Sequence, residues 1–188
     1  DILNLVYISK SLGLDEVADY WHQVIKINNH QRERFAKNIL TTLYNTISGK
    51  KITFFGWAFK KDTNDTRESA AIYVADLLIN EMAHIDVYDP KVSKEQIFES
   101  INFLQTRDSD MNSKFLNVND DPYKAAEGSH AVAILTEWDE FKEFDWRRIY
   151  ESMNQPAFIF DGRNILNRED LEKIGFVYRG IGKPLNEK

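Results

Sequence analysis

Short, almost uninterrupted apolar segments recur along this chain, and they constrain its fold more than any other feature. The clearest are HAVAILT at 130–136 and AFIF at 157–160, and KITFF at 51–55 has the same character. A strand without polar alternation must be covered on both faces, which is typical of a parallel sheet between two layers of helices. These segments therefore predict buried strands of a parallel sheet.

From residue 51 onward, predicted strands alternate with predicted helices. The strands are expected at 51–56, 84–88, 115–118, 131–136, 157–160 and 175–179. The helices between them are expected at 67–82, 93–101, 121–127, 138–152 and 168–173. This alternation predicts an α/β fold with a doubly wound, mostly parallel, Rossmann-like sheet.

Residues 1–48 show helical periodicity instead of a strand pattern. Gly13 breaks a first apolar stripe, and a second helix is predicted to start near Asp15. Its apolar stripe continues through Leu43 to Ile47, so this helix could exceed about thirty residues. The polar segment NNH at 28–30 indicates a kink or a change of register inside it. A helix this long must bury its apolar stripe, and a second copy of the chain or a neighbouring domain is the expected partner.

The chain is therefore predicted to have three parts. A helical dimerisation region occupies 1–48, an α/β binding domain occupies 49–183 and a short tail occupies 184–188. The stretch from 102 to 114 has only a weak pattern, and no site is predicted there.

Composition excludes several classes of site. The 188 residues include no cysteine, so disulfides, cysteine zinc sites and a cysteine nucleophile are excluded within this sequence. The net charge of −6 argues against a dedicated nucleic-acid binder. No apolar run of about 18 residues is present, so no membrane span is expected. The four histidines are scattered without metal-ligand spacing, and no metal site is predicted.

The connection after the first predicted strand is unusually charged for a strand-to-helix loop. It has the sequence GWAFKKDTNDTRES at 56–69 and includes Lys60, Lys61 and Arg67. Because the next helix is predicted to begin near 65–67, its N–H groups and positive dipole end face the loop, which favours a phosphate group. The alternative is that the lysines form a solvated surface and that the other polar residues only cap the helix.

A second polar loop, DGRN at 161–164, follows the predicted strand at 157–160. Gly162 permits an unusual backbone angle, and the guanidinium of Arg163 can bind a pyrophosphate or a carboxylate through paired hydrogen bonds. Taken alone, an arginine after a strand is more often a salt-bridge partner, so both interpretations stay open. Ligands of doubly wound sheets bind at the carboxyl ends of strands, so the two loops are expected to face one crevice.

The glycine fingerprint of dinucleotide-binding loops, GxGxxG, is absent from the chain. Asp86 and Asp89 lie at the end of the second predicted strand, where an acid could bind a ribose. A turn aspartate before Pro90 is at least as probable an interpretation. Glu137 also lies on the ligand side of the sheet, and Trp138 is expected to cover the sheet.

The loop GWAFKKDTNDTRES closely resembles the GFAFKKDTxDTRES signature of the UDP-glucose 6-dehydrogenases, in particular the animal-type enzymes. The segments DILNLVY, YDPK, DPY, TEWD and FIFDGR occur in the same order in that family. The resemblance covers nearly the whole chain and is poor only at 102–116. Trp57 stands where the animal enzymes often have phenylalanine, and it preserves the aromatic ring.

The resemblance implies an oxidoreductase that converts UDP-glucose to UDP-glucuronate, a glycosaminoglycan precursor, with two NAD+. In that family an N-terminal Rossmann domain binds NAD, a long central helix dimerises, and a C-terminal domain binds the UDP-sugar. This chain resembles only the last two parts, and the family's nucleophilic cysteine precedes the position that matches Asp1. The chain is therefore expected to be inactive alone, cytoplasmic, and homo-oligomeric as a dimer through the long helix or a hexamer.

The same resemblance assigns roles to single residues. Asp1 matches the catalytic aspartate that assists water activation. Phe59, Lys60 and Arg163 match residues that contact the UDP-sugar. Arg67 matches an arginine on the NAD side and is expected in the first turn of the helix after the loop.

Two other functions remain as alternatives. One is a free-standing nucleotide-sugar-binding and dimerisation module without catalysis, which should begin with a methionine and a capped helix. The other is a regulator of flavodoxin-like build, which needs an acidic pocket at the end of the first strand, whereas that loop is cationic here.

Overall fold

Six strands alternate with helices in the computed structural model, which describes residues 2–183. The strands are β1 (Lys51–Phe55), β2 (His84–Tyr88), β3 (Leu116–Val118), β4 (Ala131–Ile134), β5 (Phe158–Asp161) and β6 (Val177–Gly180). The helices are α1 (Ile2–Ser11), α2 (Asp15–Thr42), α3 (Ala70–Asn80), α4 (Lys94–Asn102), α5 (Ser109–Phe115), α6 (Pro122–Ala126), α7 (Trp146–Ser152) and α8 (Arg168–Ile174), with a 3-10 helix at Asp139–Lys142. Asp1 and the predicted tail at 184–188 lie outside the described residues, so their predicted roles stay predictions.

The strands form one sheet in the order β3-β2-β1-β4-β5-β6, and every neighbouring pair is parallel. The chain builds outward from β1 in one direction and then crosses back to β4, so the strand order reverses between β1 and β4. Phe55 pairs with Ile134, and Ile134 pairs with Asp161, which aligns the carboxyl ends of β1, β4 and β5. The predicted doubly wound Rossmann-like fold is confirmed, and the reversal marks where such sheets bind ligands.

Helices cover both faces of the central strands. Every residue from Ile52 to Phe55, and every residue of β4 and β5, is buried. The one hydroxyl in the middle of β1 is satisfied, because Thr53 Oγ1 donates to the carbonyl of Ala125 at 2.7 Å. The apolar segments therefore fold as their lack of alternation predicts.

The long helix α2 has 28 residues and continues through the polar segment 28–30 without a break. Its second half packs on the sheet through Phe35, Ala36 and Ile39, and the Phe35 ring meets that of Phe160 edge-on at 6.5 Å. In its first half only Ala18 is fully buried. Within residues 2–183, no helix is both long enough and apolar enough to span a membrane.

The helices differ from the sequence prediction at three places. The helix α3 begins at Ala70 rather than 67, because Ser69 Oγ accepts the N–H of Ala71 and Glu68 has a positive φ of 60°. The weakly patterned stretch after 102 contains α5. The helix predicted at 138–152 is two pieces, since the side chain of Asp145 caps a new helix by accepting the N–H of Arg148 at 3.0 Å.

Candidate functional site

A cavity of about 350 Å³ lies between α2 and the loops that follow β1 and β5. It is lined by Asn28, Gln31, Arg32, Phe35, Phe59, Glu68, Ala70, Val74, Leu135, Gly162, Arg163 and Ile181. An adjoining cavity of about 330 Å³ shares Asn28, Arg32, Phe59 and Glu68 with it and reaches Ile2 and Leu3 of α1. These two cavities, called the cleft below, lie beside the reversal of strand order, where a ligand site is expected.

The first part of the loop after β1 is fixed by hydrogen bonds from its backbone. The N–H groups of Trp57 and Ala58 donate to Asp89 Oδ2 at 2.6 and 3.0 Å. The carbonyl of Ala58 accepts the hydroxyl of Thr136 at 2.7 Å, and the N–H of Phe59 donates to the carbonyl of Asp65 at 2.8 Å. The loop therefore holds the half-exposed ring of Phe59 at the edge of the cleft.

Arg163 joins three loops and also lines the cleft. Its Nε donates to the carbonyl of Leu135 at 2.7 Å, and its Nη2 donates to the carbonyl of Phe59 at 3.3 Å. Glu137 Oε2 forms an ion pair with the same Nε at 3.3 Å. Among the described residues, Nη1 has no hydrogen-bond partner. The salt-bridge interpretation is therefore correct, and the N–H groups of Nη1 remain available to a ligand.

Asp161 sets the start of the loop that carries Arg163. Its Oδ1 accepts the N–H of Arg163 at 3.0 Å, and its Oδ2 accepts the N–H of Leu166 at 2.9 Å and the hydroxyl of Tyr178 at 3.0 Å. Burial and the neighbouring Asp161 carboxylate raise the pKa of Tyr178, so its hydroxyl stays a hydrogen-bond donor. The buried carboxylate thus fixes the loop on which Arg163 sits.

The other cations of the charged loop do not line the cleft. Lys60 is exposed, and Lys61 forms an ion pair with Asp139 at 2.7 Å. Phe59 and Arg163 are thus brought together as the sequence predicts, whereas a convergence of Lys60 and Arg163 on one cavity is not seen in the described residues. The substrate role of Lys60 stays a prediction.

Arg67 lies on the outer rim of the loop. Its side chain is 88% exposed and pairs with Asp65 at 2.7 Å, and hydrogen bonds from Arg67 lower the pKa of Asp65 to about 2. Arg67 precedes α3 instead of lying in its first turn, because the helix begins at Ala70. The prediction that Arg67 lies in the first turn of that helix is therefore wrong, and its NAD role stays a prediction.

Arg32 and Glu68 form a clamp that the sequence reading missed. Arg32 Nη2 donates to the backbone carbonyl of Glu68 at 2.8 Å and lies 3.4 Å from its carboxylate. The guanidinium also stacks on the ring of Tyr73 at 4.0 Å, and the hydroxyl of Tyr73 donates to Glu68 Oε1 at 2.8 Å. The clamp ties α2 to the end of the charged loop. The polar run NNHQRER at 28–34, which interrupts an otherwise apolar periodicity, was the available signal.

The residues after β1 do not fit a dinucleotide pyrophosphate. A Cβ at Gly56, which has φ 96°, would overlap Thr136, so this glycine is needed for packing between strands. The loop continues to Ser69 before α3 begins, whereas a dinucleotide cradle turns directly into its helix. The chain therefore provides no NAD cradle at β1. Among residues 2–183 no cluster of side chains suited to a metal ion is found.

Comparison with known proteins gives one consistent match. The model of the UDP-binding domain of the UDP-glucose/GDP-mannose dehydrogenase family matches residues 53–168. The chain is 50% identical to UDP-glucose 6-dehydrogenase from Pongo abelii over its full length and covers 38% of that protein. It is also 50% identical to the Drosophila melanogaster protein of the same name over 97% of its length, covering 39% of that relative.

Solved structures agree with this match. A UDP-D-ManNAc dehydrogenase from Pyrococcus horikoshii, 28% identical, has a TM-score of 0.61 over 90% of this chain, which covers 34% of that structure. A UDP-glucose dehydrogenase from Pyrobaculum islandicum, 23% identical, has a TM-score of 0.65 over 95% of this chain and supports the fold; the chain covers 35% of it. This chain thus spans well under half the length of the relatives that it matches.

Proposed function

The chain belongs to the UDP-glucose/GDP-mannose dehydrogenase family, and from this premise we propose that it is the nucleotide-sugar-binding part of a UDP-glucose 6-dehydrogenase. The whole enzyme would oxidise UDP-glucose to UDP-glucuronate with two NAD+. The observation that carries the proposal is the coincidence of the matched region, 53–168, with the loops that bring Phe59 and Arg163 to the cleft.

The cleft suits one end of a nucleotide sugar. Arg163 is held in place by two backbone carbonyls and keeps Nη1 for a phosphate or sugar oxygen. Phe59 also lines the cleft and supplies an aromatic surface, and Phe35 and Val74 add apolar lining. We assign Phe59, Lys60 and Arg163 to the substrate, with Lys60 reaching the ligand from the solvent side.

The oxidation itself needs groups that this sequence does not contain. NAD supplies the hydride acceptor in such a reaction, and the residues after β1 do not form its cradle. A cysteine nucleophile is absent from the chain. We assign Arg67 to the NAD side and Asp1 to water activation, and we assign the remaining catalytic groups to another part of the enzyme.

The helical region is proposed to hold the assembly together. Large apolar side chains of α1 and the first half of α2 are exposed, as expected for a surface that pairs with another copy. We therefore keep the division into a dimerisation region at 1–48 and a binding domain at 49–183, and we propose a dimer through the long helix or a hexamer. A cytoplasmic enzyme that binds neither nucleic acid nor membrane fits the acidic, cysteine-free composition.

An NMR titration of the isotope-labelled chain tests the proposal, because it also detects weak binding. UDP-glucose is expected to shift the amide signals of 56–59 and 162–164, and GDP-mannose is expected to shift them less. Arg163→Ala should weaken UDP-glucose binding roughly ten- to a hundredfold, since one charge-assisted contact is lost. Arg147→Ala, which removes an exposed arginine of α7, is the matched control and should bind normally. Absence of shifts in the unsubstituted chain would contradict the proposed function.

A further inference from the structure

One carboxylate beside the cleft accepts an unusual number of N–H groups from three different segments. Asp89 directly follows β2, and its Oδ2 accepts the backbone N–H groups of Trp57 at 2.6 Å and Ala58 at 3.0 Å. The same oxygen accepts the indole Nε1–H of Trp138, after β4, at 3.2 Å. The side chain therefore connects the loops that follow β1, β2 and β4.

The second oxygen of the same carboxylate is also occupied. Asp89 Oδ1 accepts the N–H groups of Lys91 at 2.9 Å and Val92 at 3.0 Å. Five N–H donors in total leave little capacity for a ribose hydroxyl, and Asp89 does not line the cleft. The ribose-binding interpretation of Asp89 is therefore not supported. The turn interpretation accounts for the contacts of Oδ1 with Lys91 and Val92 but not for those of Oδ2.

The contacts of Asp89 continue to the cleft through the backbone. Trp57 and Ala58, which it holds, are directly followed by Phe59. The carbonyl of Phe59 accepts Arg163 Nη2, and the carbonyl of Leu135, after β4, accepts Arg163 Nε. Asp89 thus fixes two of the loops against which the guanidinium rests.

We propose that Asp89 is a positioning residue for the nucleotide-sugar site, which holds the backbone of Trp57 and Ala58 so that Phe59 and Arg163 face the ligand together. The inference rests on the proposed function for the identity of the ligand, whereas the loop geometry stands without it. A carboxylate is required because it offers two acceptor oxygens and no donor. An asparagine of the same size would turn an NH₂ group toward N–H donors on one side.

Asp89→Asn in this chain tests the proposal with two independent measurements. Hydrogen exchange in the absence of ligand should show the amides of Trp57 and Ala58 exchanging at least tenfold faster, with a shifted indole N–H signal of Trp138. Titration with UDP-glucose should show affinity reduced roughly tenfold or more. The exchange measurement needs no ligand. If the unsubstituted chain fails to bind UDP-glucose, the proposed function is contradicted, and hydrogen exchange alone then tests whether Asp89 holds the loop.

Asp86→Asn is the matched control for a purely structural effect. Asp86 is a buried aspartate within β2, three residues before Asp89, and it pairs with Lys51 at 2.8 Å and accepts side-chain N–H groups of Asn117 and Asn119, outside the cleft. It should lower the stability of the fold and leave the affinity for UDP-glucose unchanged. An equal loss of affinity in both variants would overturn a positioning role specific to Asp89.

Two further results decide against the proposal. Unchanged affinity in Asp89→Asn overturns it, and so does lost affinity with unchanged exchange at Trp57 and Ala58, since that result indicates direct ligand contact. If Asp89→Asn does not fold, Trp138→Phe gives the test, because it removes one donor to Asp89 and keeps an aromatic ring. It should reduce the affinity about threefold, and an unchanged affinity in that variant overturns the proposal.

Discussion

Around Phe59, backbone groups find their hydrogen-bond partners within the chain, whereas around Tyr7 large apolar side chains face solvent. The N–H groups from Trp57 to Phe59 are all bonded, to Asp89 or to the carbonyl of Asp65. In α1, the turn that follows it and the first half of α2, apolar residues between 41% and 75% exposed include Leu3, Leu5, Tyr7, Ile8, Leu12, Leu14, Val17, Tyr20 and Ile27. The loop around Phe59 thus has its N–H groups bonded within the chain, whereas the helices around Tyr7 have apolar side chains that no part of residues 2–183 covers.

The difference shows which part of the protein is self-sufficient. Fixed loops need no ordering when a ligand arrives, so less of the binding free energy is lost to conformational entropy. The segment from α1 through the first half of α2 has gained secondary structure but leaves most of its large apolar side chains exposed, and a further surface would be needed to cover them. The chain therefore combines a cleft whose loops are fixed by internal hydrogen bonds with an exposed apolar surface, which we propose pairs with a second copy.

The largest expected effect concerns the helical region. Leu3→Glu combined with Tyr7→Glu places two charges on one face of α1, since residues four apart are neighbours on a helix. Burial of the four side chains of a dimer is worth about 6 kcal/mol, so the dimer Kd should rise by about four orders of magnitude. Analytical ultracentrifugation measures this, with Phe103→Glu, at an 84% exposed site outside this region, as the control. An unchanged dimer Kd in the double variant would show that these exposed side chains of α1 do not form the dimer contact.

An intermediate effect is expected at the start of the charged loop. Gly56→Ala adds a Cβ that overlaps Thr136 at a φ of 96°, and it should lower the free energy of unfolding by about 3 kcal/mol. Gly128→Ala is the matched control, because its φ is 68° but nothing lies within 4 Å, so only about 1 kcal/mol of backbone strain is expected. Urea denaturation separates the two. Equal losses would mean that Thr136 moves aside and that the loop is less firmly fixed than its contacts indicate.

The smallest expected effect lies on the rim of the same loop. Arg67→Ala removes an 88% exposed side chain whose partner is Asp65, so the Tm at pH 7 should be unchanged within the error of a thermal melt. The pair lowers the pKa of Asp65 from 3.8 to about 2, so its small contribution is present above pH 3.8 and is lost as the pH falls through about 2. Thermal melts from pH 7 down to pH 2 should therefore show the same Tm for both proteins, within error, at every pH. A large decrease in Tm at pH 7 would show that the ion pair between Arg67 and Asp65 also stabilises the loop.

The sheet could be predicted well from the sequence, because its strands are apolar segments without polar alternation. A segment such as HAVAILT is typical of a parallel sheet that lies between two layers of helices, and the six strands observed are indeed all parallel. The end of the long helix was harder to predict. Leu43 and Ile47 continue the apolar periodicity and are buried, but α2 ends at Thr42.

The site was predicted in part. Phe59 and Arg163 came from loop position and resemblance, and the cleft contains both. Asp89 and Arg32 were not predicted in their observed roles, because their partners lie far along the chain, at Trp57 and Glu68. A turn aspartate and a helical arginine look ordinary in one sequence, and only the folded arrangement shows what they hold.

The hydrogen bond between Arg163 and the carbonyl of Phe59 spans 104 positions of the chain. The strand β1 precedes β5 in the chain, and one wall of the cleft comes from the loop that follows β5. Contacts between such distant positions form slowly, because a large loop must close first. A nascent chain of this protein can thus form the strands from β1 to β4 before the loop that carries Arg163 completes the cleft.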